Sequence, residues 1–217
     1  GKDVYVSWNG PQGGDLYVGI SHDFCKTWTQ KKLSKDKRYY YAYDARVLGD
    51  GTVVFSESSI VYSGLTKVNG EVWHHAVVSR DNGSTWENVV VAKVPVGETC
   101  VAAGCKPDFY IGQTSVVSDA PGHLVFAYEG PRTGGGPQQI YVSSSSDEGR
   151  TWSPGVPLSV AGENATGPRL ASFGGSTRLW YVQTAAGDNP DAWNVWYRSS
   201  TDGGATWSVP VRISDAP

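Results

Sequence analysis

The sequence predicts an all-β protein built from repeated four-stranded antiparallel units, and three observations carry that prediction. An eight-residue pattern, Ser-x-Asp-x-Gly-x-Thr-Trp, occurs four times, at residues 21–28, 79–86, 145–152 and 200–207. Its aspartates, Asp23, Asp81, Asp147 and Asp202, lie 58, 66 and 55 residues apart, a period that marks a stacked or radial repeat. Between the copies run short alternating segments split by Gly-rich turns, in a chain with 27 Gly, 9 Trp and 12 Tyr but only 18% charged residues.

Each copy has the chemistry of a tight turn. The Asp carboxylate accepts backbone N–H groups, Gly supplies a positive φ, and Ser and Thr tie the ends. The closing Trp28, Trp86, Trp152 and Trp207 then carry large apolar bodies back between the sheets. Cys25 stands where the other copies have Gly, so the first turn must hold a Cβ at a strained position or relax to another turn type.

The strands follow in order. Residues 1–33 supply three, at 4–8, 16–21 and 28–33, without an innermost partner. Segments 45–48 and 52–56 flank Gly49-Asp50-Gly51, and 71–79 and 86–91 complete that unit around the second turn. The same arrangement returns with 114–118 and 124–128 around Asp119–Gly122, and with 169–173 and 178–183 around Gly174-Gly175. Four-stranded units therefore start near Tyr39, Asp108 and Thr166, in segments of about 1–35, 36–95, 106–160 and 161–217. After Trp207 comes one outer strand, 209–213. An open arc would expose strand edges, so the chain is expected to be part of a longer ring or to close with a second copy.

The repeated pattern resembles the Asp-box, or bacterial neuraminidase repeat, of sialidase-like β-propellers, and the resemblance covers the chain at one box per blade. The segments Gly167-Pro-Arg-Leu-Ala-Ser, Arg178-Leu-Trp-Tyr and 191–207 are similar to secreted actinobacterial sialidase-like proteins. The resemblance implies a β-propeller with about four blades in this chain, part of a six- or seven-bladed ring. It also implies that the boxes join the third and fourth strands of each blade, on the face opposite the site, and that the protein is secreted.

Composition agrees with a secreted domain. No run of 18 apolar residues exists to span a membrane, and a net charge of −3 with scattered Lys and Arg gives no nucleic-acid footprint. Met is absent and position 1 is Gly, so Gly1 is expected to be a processing end. Cys100 and Cys105 flank a Gly-containing loop and are expected to form a short disulfide. Metal binding is not expected: no second Cys pair is present, and the adjacent His74 and His75 must point to opposite faces of a strand. Cys25 is left over as a buried or semi-buried thiol, and no cofactor is implied.

If the boxes mark one face, the opposite face is a concave mouth where small ligands bind. Trp8, Asn9, Tyr40, Tyr41, Asp44, Arg46, Glu57, Trp73, Tyr110, Gln113, Tyr128, Glu129, Arg132, Arg169, Gln183, Asp188 and Trp193 map to that mouth. Rings stack on sugar C–H faces, amides and carboxylates take hydroxyls, and guanidinium groups bind carboxylates. The plainer expectation stands beside this one. Tyr and Trp at strand ends pack blades, Arg46 and Arg169 pair with neighbouring carboxylates to close the axis, and Glu57 is solvated.

By resemblance, a sialidase holds its substrate with three arginines, uses a Tyr–Glu nucleophile pair, and an Asp as acid/base. The Phe/Tyr-Arg-Ile-Pro motif of the first arginine is absent; Tyr43-Asp-Ala-Arg46 has only the strand-turn-strand setting. Arg46, Arg132 and Arg169 are candidate substrate-binding arginines, with Trp8, Tyr41, Tyr110 and Gln113 beside them. Tyr128 or Tyr110 with Glu57 or Glu129 could form the nucleophile pair, and Asp44 the acid/base. Alternatively, Glu57 with Glu129 or Asp44 would form a two-carboxylate glycosidase pair. The function expected is that of an exo-glycosidase acting on terminal sialic acid or a related sugar. The other class is a non-catalytic glycan- or protein-binding propeller.

Overall fold

A computed structural model describes residues 1–10, 14–63, 67–96, 112–131, 137–184 and 193–215. They form fifteen strands: β1 (Val4–Asn9), β2 (Leu16–Ser21), β3 (Thr29–Lys32), β4 (Tyr39–Val47), β5 (Val53–Ser63), β6 (Lys67–Ser79), β7 (Glu87–Pro95), β8 (Thr114–Ala120), β9 (His123–Pro131), β10 (Gln138–Ser145), β11 (Val156–Pro157), β12 (Asn164–Phe173), β13 (Ser176–Thr184), β14 (Asn194–Ser200) and β15 (Val211–Arg212). These make four antiparallel sheets, in the orders β1-β2-β3, β4-β5-β6-β7, β8-β9-β10-β11 and β12-β13-β14-β15. The all-β, multi-bladed, propeller-like architecture expected from the repeat is present. No helix among the described residues is long and apolar enough to cross a membrane.

Sheets stack because the strands of the middle sheets are apolar on both faces. On β5, Val53 and Phe55 join Leu16, Val18 and Ile20 of the first sheet, whereas Val54 joins Val116, Leu124 and Phe126 of the third. On β9 the alternation repeats: Leu124 and Phe126 face the second sheet, and Val125 and Ala127 join Leu170, Leu179 and Tyr181 of the fourth. Period-two side-chain alternation thus turns the continuous apolar runs Val53-Val54-Phe55 and Leu124-Val125-Phe126 into two-sided glue. The first strands of the sheets, β4, β8 and β12, lie side by side, and β1 lies against β4.

The four repeated turns have one geometry. In the third, Thr151 donates from N–H and Oγ1 to the Asp147 carboxylate at 2.9 and 2.6 Å, Ser145 Oγ donates at 2.8 Å, and Trp152 Nε1 donates to the Gly149 carbonyl at 3.2 Å. Each turn places two consecutive residues at positive φ: Phe24 and Cys25, Asn82 and Gly83, Glu148 and Gly149, Gly203 and Gly204. Gly83 presses on Ile20 and Tyr5 of the preceding sheet, where a Cβ would come within 3.2 Å of both. Gly149 presses on Val78 of the preceding sheet and Leu124 of its own, and Gly204 on Val125 of the preceding sheet.

Cys25 explains itself by contrast. It holds φ +64 and is exposed, not buried or semi-buried as its residue type suggested, because no sheet among the described residues packs over that first turn. Phe24 and Trp28 are exposed beside it. Cys100 and Cys105 lie outside the described residues.

Several strands run further than their periodicity suggested. β4 begins at Tyr39 rather than at 45, and β5 continues through Glu57, Ser58 and Ser59, polar residues that read as a strand end. All three are fully buried between sheets, so Glu57 is not a solvated terminus. β12 begins at Asn164 because a register shift between Thr166 and Arg169 absorbs Gly167-Pro168, which had broken the alternation.

Candidate functional site

The site begins with two glutamates that the sheets bury completely. Glu57, opposite Ala42 in the β4–β5 ladder, is 0% exposed, and Glu129, opposite Ile140, is 1% exposed. Glu57 belongs to the alternation of Val53 and Phe55 and so points toward the first sheet, where Ser7 is its polar neighbour. Neither of its carboxyl oxygens has a hydrogen-bond partner among the described residues. Burial disfavours the charge and pushes Glu57 up to about 8, with only Ser7 pulling the other way.

Glu129 is buried as deeply but is well supplied with donors. Thr166 Oγ1 donates to Oε1 at 2.5 Å, the Gly167 N–H at 2.7 Å, and the Gln113 N–H to Oε2 at 3.3 Å. The bulge in β12 aims both Thr166 and Gly167 at this carboxyl. Burial raises Glu129 to about 7, against the pull of these donors and of the Arg169 charge.

Tyr43 lies within electrostatic reach of both glutamates, and its phenol hydrogen-bonds Ser58. It occupies the register shift between Ala42 and Asp44 on β4, and its phenol responds to the charges of Glu129, Glu57 and Arg169. Burial raises its pKa, which keeps the hydroxyl protonated. It lines a cavity of about 420 Å³ between β1 and β4 with Ser7, Ala42 and Asp44. Tyr39, Tyr41 and Tyr43 alternate along β4, and their rings follow one another at 5.1 and 6.5 Å. Arg169 is exposed on β12 and donates to the Pro168 carbonyl at 2.8 Å.

The other expected site residues are distributed as follows. Gln113 joins the group through its main chain and through Nε2, which donates to Thr166 Oγ1 at 3.3 Å. Asp44 and Arg46 pair at 2.8 Å, and Arg46 also donates to the carbonyls of Ala45 and Leu170 at 2.6 and 3.4 Å. Its guanidinium is therefore engaged within the protein rather than open. Tyr128 points away from the Glu129 carboxyl, as adjacent strand positions must, and stacks on Tyr141 at 5.5 Å. Burial raises its phenol to about 12. Trp8 stacks on Tyr17 at 5.8 Å in the first sheet, and Tyr41 belongs to the β4 tyrosine row. Tyr110 and Arg132 lie outside the described residues.

Sequence reasoning missed Tyr43, Thr166, Gly167 and His74. The alternation of Tyr39, Tyr41 and Tyr43 was a legible signal for the first. Thr166 and Gly167 reach Glu129 only through the bulge, for which Gly-Pro inside a strand was the hint. His74 donates from Nε2 to the Glu129 carbonyl at 2.7 Å, a contact between sheets that no local pattern announces. No group of three or more His, Cys, Asp or Glu among the described residues could hold a metal ion.

No protein-family model matches the sequence, and no curated protein matches it either. Solved structures do resemble it. An α-L-arabinanase of Penicillium chrysogenum complexed with arabinobiose shares 17% identity at a TM-score of 0.64, over 97% of this chain and 63% of that one. The GH93 α-L-arabinofuranosidase of Fusarium graminearum, also with arabinobiose, shares 19% at 0.62 over the same fractions. The NanB sialidase of Streptococcus pneumoniae shares 14% at 0.55, over 93% of this chain and 29% of that one. The chain thus spans less than two thirds of the length of the structures it resembles. At these identities the likeness establishes the propeller-like fold alone, one shared by an α-L-arabinanase, an α-L-arabinofuranosidase and a sialidase.

Proposed function

We propose that this chain carries the carboxyl pair of a secreted glycoside hydrolase, with Glu57 as general acid and Glu129 as the ionised partner at the anomeric centre. The carrying observation is that two glutamates on neighbouring sheets are fully buried with unlike supplies of hydrogen-bond donors, and that the Tyr43 phenol lies within electrostatic reach of both. A carboxyl without donors keeps its proton and can give it to a departing glycosidic oxygen. One cradled by Thr166, Gly167 and Gln113 carries the negative charge more readily and can act on the anomeric carbon or on a water. The tyrosine row of β4 offers ring faces to a sugar, and Arg169 an exposed cation.

A neutral furanoside suits these residues better than sialic acid. Of the three arginines expected to bind a sialic acid carboxylate, Arg132 lies outside the described residues, Arg46 is engaged by Asp44 and two carbonyls, and Arg169 lies near Glu129. The arabinan-directed enzymes of the same fold are consistent with such a substrate. The sialidase alternative, with Tyr43 and Glu57 as its nucleophile pair, and the non-catalytic glycan-binding alternative are separated from it by one experiment.

The protein would be assayed with an aryl α-L-arabinofuranoside and a fluorogenic sialoside, beside Glu57→Gln, Glu129→Gln and Arg169→Ala variants. The expected result is furanoside turnover that either glutamine substitution lowers by at least about 100-fold. Sialoside turnover abolished by Arg169→Ala would favour the sialidase instead. Binding of either sugar without turnover by folded protein would leave a binding propeller.

A further inference from the structure

Glu129 is gripped at both ends. Its carboxyl takes three donors from β12 and the segment before β8, while its main-chain carbonyl receives His74 Nε2 at 2.7 Å from the neighbouring sheet. His74 is fully buried in β6, next to a register shift between His74 and His75, and its ring lies 4.8 Å from that of Tyr128. Its Nδ1 has no hydrogen-bond partner among the described residues, so the whole polar investment of this side chain goes into one carbonyl.

From this geometry we infer that His74 is a positioning residue for Glu129: its Nε2–H fixes the Glu129 main chain so that the carboxyl stays within reach of Thr166, Gly167 and Gln113. This rests on the carboxyl-pair function proposed above. A carbonyl oxygen only accepts, so Nε2 must carry the proton and the imidazole is the neutral Nε2–H tautomer. Burial pushes His74 down to about 3, opposed by the Glu129 carbonyl and reinforced by the like charge of His75, which keeps it neutral across the working range. Phe would keep the ring against Tyr128 and lose the donor. Gln would keep a donor and lose the ring.

Two measurements test the inference. In the native protein, 15N NMR of the His74 ring is expected to show the Nε2–H tautomer, and an Nδ1–H tautomer would overturn the assignment. In 13C-glutamate-labelled protein, with Glu129→Gln to assign the signal, His74→Phe is expected to raise the Glu129 titration midpoint as the carboxyl slips from its donors. The same variant is expected to lower kcat by about 10- to 100-fold with KM changed less than about 3-fold, and His74→Gln to restore most of it. A His74→Phe protein that melts earlier but leaves the Glu129 midpoint and kcat where they were would show a merely structural histidine and sink the proposal. Should His74→Phe fail to fold, the native tautomer and the His74→Gln midpoint decide. Absence of turnover in the native protein would overturn the hydrolase function, whereas the tautomer and the Glu129 midpoint would still judge His74.

Discussion

Asp44 and Arg46 meet at 2.8 Å on β4, and between them they tie three adjacent first strands together. The second oxygen of Asp44 accepts Ser115 Oγ at 2.6 Å and the Val116 N–H at 3.3 Å from β8, while Arg46 reaches the Leu170 carbonyl of β12 at 3.4 Å. Asp44→Ala strands a buried hydroxyl and a buried amide, and is expected to cost about 2–3 kcal/mol. Arg46→Ala removes a partly exposed member of the same group and is expected to cost about 1 kcal/mol or less. Urea unfolding measures both. An Arg46→Ala protein that unfolds normally yet loses sugar binding would return Arg46 to the site.

The buried glutamates set the alkaline side of stability. Both are raised in the folded protein, Glu57 from 4.5 to about 8 and Glu129 from 4.5 to about 7, so the folded state binds more protons than the unfolded one in that window. Their contribution is complete below pH 4.5 and is lost as pH rises through 7 and 8. Each is expected to steepen the decline by up to about 1.4 kcal/mol per pH unit, and Glu57→Gln to flatten it. Chemical denaturation from pH 5 to 9 gives the slope directly; equal slopes in native protein and variant would contradict the assignment.

The repeated turns act on the acid side with opposite sign. Thr27 lowers Asp23 to about 2 through its hydroxyl and N–H, and Thr206 does the same for Asp202. A depressed carboxyl stabilises above its unfolded value of 3.8, and that contribution is lost as pH falls toward 2. Asp202→Asn is therefore expected to lower the melting temperature at pH 6 and to narrow the gap to native protein at pH 2. A gap that widens on acidification would refute this.

The fifth position of the turn offers substitutions of opposite effect. Cys25→Gly relieves a non-glycine residue at φ +64 with no neighbouring sheet to consider, and is expected to stabilise by about 0.5–1 kcal/mol. Gly83→Ala adds a Cβ at φ +85 that meets Ile20 and Tyr5 at 3.2 Å, and is expected to destabilise by about 1–3 kcal/mol. Thermal melts of the two variants decide; the same sign for both would mean the turns are not equivalent.

What the sequence by itself determined is whatever depends on near neighbours. The Ser-x-Asp-x-Gly-x-Thr-Trp turns close on bonds spanning two to four residues, so their four positions were readable from the pattern alone. The alternating runs around them then dictated four sheets. Glu57, Glu129, Gln113 and Arg169 were also legible as polar residues near strand ends. Tertiary structure alone decided which of them matter together. It buried Glu57 without donors and Glu129 with three, because strand register and the β12 bulge select which side chains meet between sheets. It drew Arg46 into a brace with Asp44, turned Tyr128 into the interface beneath His74, and brought Tyr43 within electrostatic reach of both glutamates. Those relationships join residues distant in the chain, and a charge's cost or value is set by the dielectric and donors around it, which no single stretch of sequence contains.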